Sequence, residues 1–390
     1  MTAPGTNKCP RCFVPLNWDS VAWMMKDDTP AEIDPVASEF TGRPVTSRQV
    51  HTSERPADGA QWNPLPQGTT IADIDIVCPR CHYELPERWL DSTSTCIAMA
   101  GARYTGKTVY IAVLIKQLER LAEQYGQELL PADDSTRTRY HEVYEKPLYI
   151  EQGIVQATPS TVSDTQIPLI FNLGMWNGRP PHFLVIRDVA GEDMENPEMV
   201  GNRALSFFSF ADAVFFLFDP LRVDEVSSQL RDLIPEPPGL GGDPRDVLRT
   251  VLRLIGNGTP RLAVILSKFD AFQQLAHVRN SAWGHVMSNA GAAFNRDPGL
   301  RSRHYNETDG MLLDHEVRSL LQRLGAGVGL RTLRNPVNGT QYANRFFAVS
   351  ALGESPSGKK LHLNGISPFR CTDPIRWLLA NTGVLEEPTP

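Results

Sequence analysis

No run of apolar residues approaches the roughly 20 needed to cross a bilayer, so no membrane-spanning helix is expected. The opening stretch MTAPGTNKCPRC lacks the apolar core of a secretory leader. An excess of positive charge is missing too. There are 38 Lys and Arg against 45 Asp and Glu, giving a formal net charge of −7 and an isoelectric point of about 5.8. This excludes a generally basic nucleic-acid binder, and nucleic acid is not indicated as a partner. No Ser/His/Asp or Cys/His arrangement calls for covalent catalysis. Together these absences describe a cytoplasmic protein, in which thiols stay reduced and clustered cysteines hold metal rather than form disulfides. What is present, 41% hydrophobic and 21% charged residues in 390, suits a soluble globular chain with one large domain and additions.

Four of the six cysteines fall in two matched pairs, Cys9 and Cys12 in CPRCFVPL, and Cys78 and Cys81 in CPRCHYEL. Two residues between cysteines let a tight turn aim both thiolates at one ion, and two such turns complete a tetrahedral zinc site. Four thiolates leave no open position for water, so the Zn2+ is structural. Roughly 65 residues separate the pairs, against the usual ~15–20 of a compact ribbon. The stretch 17–77, with TSERPADGAQWNPLPQGTT, reads as a long insertion, part loop and part disordered. Residues 1–92 thus form a zinc-ribbon-like region. His82 directly follows Cys81 and reads as a surface residue or a substitute ligand. Cys96 and Cys371 read as small apolar packing groups.

Residues 95–108, TCIAMAGARYTGKT, combine an apolar strand with a glycine loop that fits G-x-x-x-x-G-K-[ST]. A helical pattern then runs to Gly126. Gly101 and Gly106 permit backbone angles closed to other residues. The loop from Gly101 through Ala102, Arg103, Tyr104, Thr105 and Gly106 would turn its N–H groups toward phosphate oxygens. A helix N-terminus adds its positive dipole end. In this motif Lys107 reaches the β- and γ-phosphates and Thr108 offers its hydroxyl to Mg2+.

Three later stretches bear on which nucleotide is held. In PHFLVIRDVAGED, Asp188 and Gly191 give D-x-x-G at a strand end, with Asp188 placed to hold Mg2+ through water and Gly191 to meet the γ-phosphate. In RLAVILSKFD, Ser267, Lys268 and Asp270 resemble the N-K-x-D motif of GTPases, with Ser in place of Asn. An aspartate there accepts two hydrogen bonds from guanine, and adenine would leave it unpaired. In RFFAVSALG, Ser350, Ala351 and Leu352 resemble the S-A-K loop, with Leu in place of Lys.

With these motifs in this order, each at a strand end, the chain resembles the P-loop GTPase superfamily, in its translation-factor-related (TRAFAC) class. The resemblance covers residues 93–385. A zinc ribbon ahead of an enlarged domain is also similar to bacterial double-GTPases of predicted conflict systems. The resemblance implies an α/β fold: a mostly parallel sheet flanked by helices, with one antiparallel hairpin at QIPLIFNLGMWNGRPPHFLVIRD turning on Asn177-Gly178. It implies GTP and GDP as ligands with Mg2+, and a switch with slow or partner-stimulated hydrolysis. It places a Mg2+-coordinating threonine in QATPSTVSDT, where Thr158 and Thr161 are candidates and Thr161 lies nearer the hairpin. Lys107, Thr161 and Glu192 are the catalytic candidates, Glu192 standing where small GTPases often carry Gln. Arg103 and Arg187 could offset transition-state charge or simply pack. The implied partner is a second GTPase or a regulator. A non-hydrolysing nucleotide-binding scaffold and a P-loop ATPase are the alternatives.

Overall fold

The computed structural model describes residues 7–26, 30–52, 68–153, 167–176, 179–196, 201–230, 242–278, 282–300, 302–327, 330, 333–354, 361 and 365–385. Among the described residues, seven short strands lie in the first part of the chain: β1 (Asn7–Lys8), β2 (Pro15–Leu16), β3 (Ala22–Met25), β4 (Glu32–Ile33), β5 (Thr46–Ser47), β6 (Val50–Thr52) and β7 (Ile74–Val77). β1 and β2 pair antiparallel around the first cysteine turn. β6, β3 and β7 form a three-stranded antiparallel sheet in that order. The stretch 17–77 therefore carries regular structure, which its polar composition concealed. A seven-residue helix, Pro35–Thr41, lies there too, with the Asp34 carboxylate accepting from the Ala37 N–H and Gly42 ending it in the left-handed region. Most of TSERPADGAQWNPLPQGTT lies outside the described residues.

Among the described residues the main sheet has seven strands: β8 (Thr93–Gly101), β9 (Leu130–Pro131), β10 (Leu169–Asn172), β11 (His182–Asp188), β12 (Ala213–Phe218), β13 (Arg261–Leu266) and β14 (Asn344–Ala348). Their order is β14-β13-β12-β8-β11-β10-β9. The run from β14 to β11 is parallel. β10 pairs antiparallel with β11, Leu169 opposite Ile186, which gives the expected hairpin; its Asn177-Gly178 turn lies outside the described residues. All six residues of β12, AVFFLF, are buried. A continuous apolar run, rather than alternation, is what a parallel strand needs when both faces are covered. Each buried phenylalanine contributes about 1.5–3 kcal/mol through its lost contact with water.

Helix Lys107–Gln124 packs its apolar side on this sheet, with Ile111, Leu114, Ile115 and Leu118 wholly buried. It starts at Gly106, whose φ of +84° is left-handed, and it gives way at Gly126, with φ of +67°. Helix Asp134–Arg139 continues into wide π-type turns over Tyr140–Ile150. Pro147 sits inside those turns and cannot donate an N–H, which suits a segment that departs from regular α-helical bonding. This arm, read from sequence only as a lengthened connection, brings Tyr144 to the end of β11.

The carboxyl ends of the parallel strands gather the loops after Gly101, Asp188, Phe218, Leu266 and Ala348 along one edge of the sheet. One buried cluster runs from Cys9, Phe13 and Leu16 through the sheet strands to Trp377 and Leu385. Asn7 fastens the first strand to this core. Its side-chain amide donates to the Trp89 carbonyl at 2.6 Å and the Ser92 hydroxyl at 3.0 Å, while its oxygen accepts from the Ser94 hydroxyl.

Candidate metal centre and the strand-end loops

The two cysteine turns have the same local build. The Phe13 N–H donates to the Cys9 carbonyl and the His82 N–H to the Cys78 carbonyl. Phe13 and His82, each following the second cysteine of its pair, both have left-handed backbones, with φ of +60° and +52°. That reversal closes each turn so that both sulfurs point inward. All four thiols are fully buried. Cys9 Sγ lies 3.6 Å from Cys81 Sγ, and Cys12 Sγ lies 3.6 Å from Cys78 Sγ. All four sulfurs fall within 4.8 Å of one another. A tetrahedron with ~2.3 Å zinc–sulfur bonds sets its sulfurs about 3.8 Å apart, so the donor set fits zinc. Burial pushes the Cys9 thiol well above its ordinary range, which makes a cation the natural means of keeping four sulfurs ionised in this space.

The residues around the sulfurs hold the turns in place. Arg11, between Cys9 and Cys12, donates to the Cys81 carbonyl and lies over the rings of Phe40 and Tyr83 at 5.2 and 5.4 Å. His82 is neither a ligand nor a surface residue. Its Nδ1 lies 2.8 Å from Asp34 Oδ2, joining the second turn to the cap of helix Pro35–Thr41. Cys96 and Cys371 are buried apart from the four-sulfur group. Asp34, Arg11 and Asn7 carried no spacing pattern, so sequence reasoning passed over them.

The glycine loop also closes on itself. Lys107 Nζ pairs with Asp188 Oδ1, and the Tyr144 hydroxyl donates to Asp188 Oδ2 at 3.3 Å. Both carboxylate oxygens of Asp188 are thus engaged inside the protein. The Arg103 N–H donates to Glu195 Oε1 at 3.0 Å, and its guanidinium meets Glu192 Oε2 at 3.0 Å. The Thr105 hydroxyl donates to the Ala102 carbonyl at 3.0 Å. Tyr104 is exposed and left-handed, and Thr108 is half-buried in the first turn of its helix. Gly191 has no room for a side chain: an added Cβ would come within 2.7 Å of the Arg103 nitrogen and 2.9 Å of the Ala102 carbonyl carbon. Thr158 and Thr161 lie outside the described residues.

At the neighbouring strand ends, Lys268 has φ of +55° and its ammonium lies 2.9 Å from Asp219 Oδ2. The Ser267 hydroxyl donates to the Phe218 carbonyl at 3.4 Å. The Ser350 hydroxyl donates to buried Asp270 at 2.6 Å and accepts from the Gly353 N–H at 2.9 Å. Ala351 and Leu352 are half-buried, and the Leu352 carbonyl accepts from the Ser367 N–H at 2.9 Å. Asp219, Tyr144 and Glu195 were missed from sequence, although Asp219-Pro220 after an apolar run is a helix-start pattern.

Compared with curated proteins, the chain is 46% identical over 387 residues to a Mycolicibacterium smegmatis protein named "Putative ESX-1 scaffolding and assembly protein SaeC". The match spans 97% of this chain and 100% of the relative. No family model matches the chain. This whole-chain likeness overturns the placement in the P-loop GTPase superfamily, its translation-factor-related class or the double-GTPases of conflict systems. It equally overturns the reading as a GTP-binding switch, with or without hydrolysis. The groups assigned to phosphate, Mg2+ and guanine, namely Lys107, Asp188, Lys268 and Asp270, are bonded to one another or to neighbouring side chains. Nothing in the fold or the comparison supports GTP, GDP or Mg2+ as ligands. The buried four-cysteine group that could bind a metal such as zinc remains. No described helix is long and apolar enough to cross a membrane.

Proposed function

We propose, from the premise that this chain belongs to the family of the ESX-1 scaffolding and assembly protein SaeC, that it is a scaffold holding protein partners during assembly of an ESX-type secretion system. The observation that carries this reading is the 46% identity along the relative's full length. Likeness over a whole chain weighs more than four short motifs, because it constrains core, loops and surface together. On this reading the chain works on the cytoplasmic side, where reduced thiols stay free to take metal. Zinc held by Cys9, Cys12, Cys78 and Cys81 is structural, and residues 1–92 form a ribbon-like unit docked on the α/β unit of residues 93–385.

The strand-end residues then act as internal ties. Lys107 with Asp188 and Arg103 with Glu192 join the loops after Gly101 and Asp188, while Lys268 with Asp219 and Ser350 with Asp270 join the loops after Phe218, Leu266 and Ala348. Such ties suit a platform that must present a fixed surface. Chemical crosslinking of a tagged full-length chain in a host carrying an ESX-type system tests the reading. Components of that system should be recovered well above an untagged control. Recovery of none of them would remove the scaffold role.

A further inference from the structure

A cavity of about 130 Å3 opens between helix Lys107–Gln124 and the start of helix Asp373–Asn381, away from the cysteine centre and beside the segment 368–372, whose Cys371 thiol donates to the Ser350 carbonyl at 3.3 Å. Gln117, Arg120 and Gln124 line one side, and Thr372, Arg376 and Asp297 the other. The volume is close to the roughly 150 Å3 of an engineered cavity that admits benzene, so several heavy atoms fit. The lining here is polar, which suits an ion rather than a hydrocarbon.

Arg376 is the telling residue. It is only 4% exposed. One guanidinium nitrogen donates to the Ser302 carbonyl at 2.6 Å. Its Nε has no hydrogen-bond partner. Burial lowers its pKa, although Asp373 and Asp297 oppose that shift from nearby. Those carboxylates are already engaged. Asp373 pairs with Arg370 at 2.5 Å, and Asp297 accepts from the Arg370 N–H at 2.6 Å. Asp309, behind them, bridges Arg370 and Arg296 at 2.7 and 2.9 Å. Among the described residues, the charged groups that line the cavity itself are Arg120 and Arg376 against Asp297. A buried guanidinium without a full set of partners is costly, and planar guanidinium groups bind carboxylate and phosphate through paired hydrogen bonds.

We propose that this cavity is a binding site for a small oxyanion, a phosphate or carboxylate group, held by Arg376 from within and Arg120 from the rim, with the glutamine amides donating beside them. The inference is independent of the scaffold reading, since it rests on the cavity alone.

Titration calorimetry on the full chain with sodium phosphate and with sodium acetate, each against sodium chloride at matched ionic strength, tests the site. One saturable event per chain is expected. Saturation by phosphate alone marks a phosphate site, and saturation by acetate as well marks a general oxyanion site. Arg376→Lys keeps the charge but loses the planar fork, and should bind about tenfold more weakly. Arg120→Gln sits at an exposed position that leaves folding intact, and should weaken binding comparably. No saturable heat beyond chloride, or undiminished binding by folded Arg120→Gln and Arg376→Lys, would overturn the proposal.

Discussion

The guanidinium of Arg187 donates to the carbonyl oxygen of Arg11, between the two cysteines of the first turn. Arg187 is fully buried, packs on the Phe207 ring at 3.8 Å and also reaches the Ala204 carbonyl. The next residue along the strand is Asp188, which holds Lys107. Two consecutive residues of β11 therefore fasten the cysteine centre and the glycine loop to the same strand. The Phe13 ring, edge-on to Phe207 at 5.3 Å, seals the contact with apolar surface.

Substituting Arg187 should disturb both sides of this joint. Arg187→Met keeps bulk but leaves the Arg11 and Ala204 carbonyls without their donor. A loss of about 3 kcal/mol is expected. Zinc affinity should fall by about 10–100-fold, because the turn that aims Cys9 and Cys12 loses its anchor. Urea unfolding and zinc competition against a chromogenic chelator read the two effects. Unchanged zinc affinity in a folded variant would place the joint outside the metal site's control.

The cysteine centre should bind one zinc per chain, measured by atomic emission on purified protein. Cys78→Ser should purify without zinc, and a chelator should lower the melting temperature of the native chain but not of that variant. The sulfurs sit in the core shared with the sheet, so loss of metal should shift the unfolding of the whole molecule. A chain that melts identically with and without chelator would contradict a structural metal.

Gly191 was read from sequence as a phosphate contact, and the structure gives it a different reason to lack a side chain. Its Cα faces the backbone of Ala102 and Arg103. Gly191→Ala should cost about 1–3 kcal/mol, because the backbone must move to admit a methyl group. Chemical denaturation measures this, and a neutral effect would show that the loops are not packed as described.

Stability should depend on pH through His182. It is buried between the hydroxyls of Thr93 and Thr95, at 2.7 and 2.9 Å. Burial, aided by the charge of Arg179, lowers its pKa to about 4. The unfolded chain holds the proton more tightly, with a pKa near 6.5. Its contribution is therefore complete above about pH 6.5 and is lost as pH falls toward 4, amounting to about 3 kcal/mol. Asp373 acts in the opposite sense below pH 6, since burial raises its pKa to about 6. The stability difference between the native chain and His182→Gln isolates the histidine. That difference should shrink steadily from pH 7 to pH 4.5, and a flat difference would refute the assignment.

Much of the fold was legible because parallel strands buried on both faces leave unbroken apolar runs. Cys96–Ala100, Ala213–Phe218 and Leu262–Leu266 all fall within strands. The cysteine centre was legible because C-P-x-C carries its own geometry. The helix and small sheet within 17–77 were hidden, since two- to four-residue strands stabilised by distant contacts leave no periodic trace. The partners of the strand-end loops were hidden for a different reason. A motif records which residue types occur, but not that Tyr144, Glu195 and Asp219, far apart in sequence, meet Asp188, Arg103 and Lys268.

Secretion measured in a deletion strain bears most directly on the scaffold role. In a host with an ESX-type system, removal of this chain should leave ESX substrates inside the cell, and re-expression of the native chain should restore their export. Undiminished export from the deletion strain, with growth and other secretion also unchanged, would contradict the role.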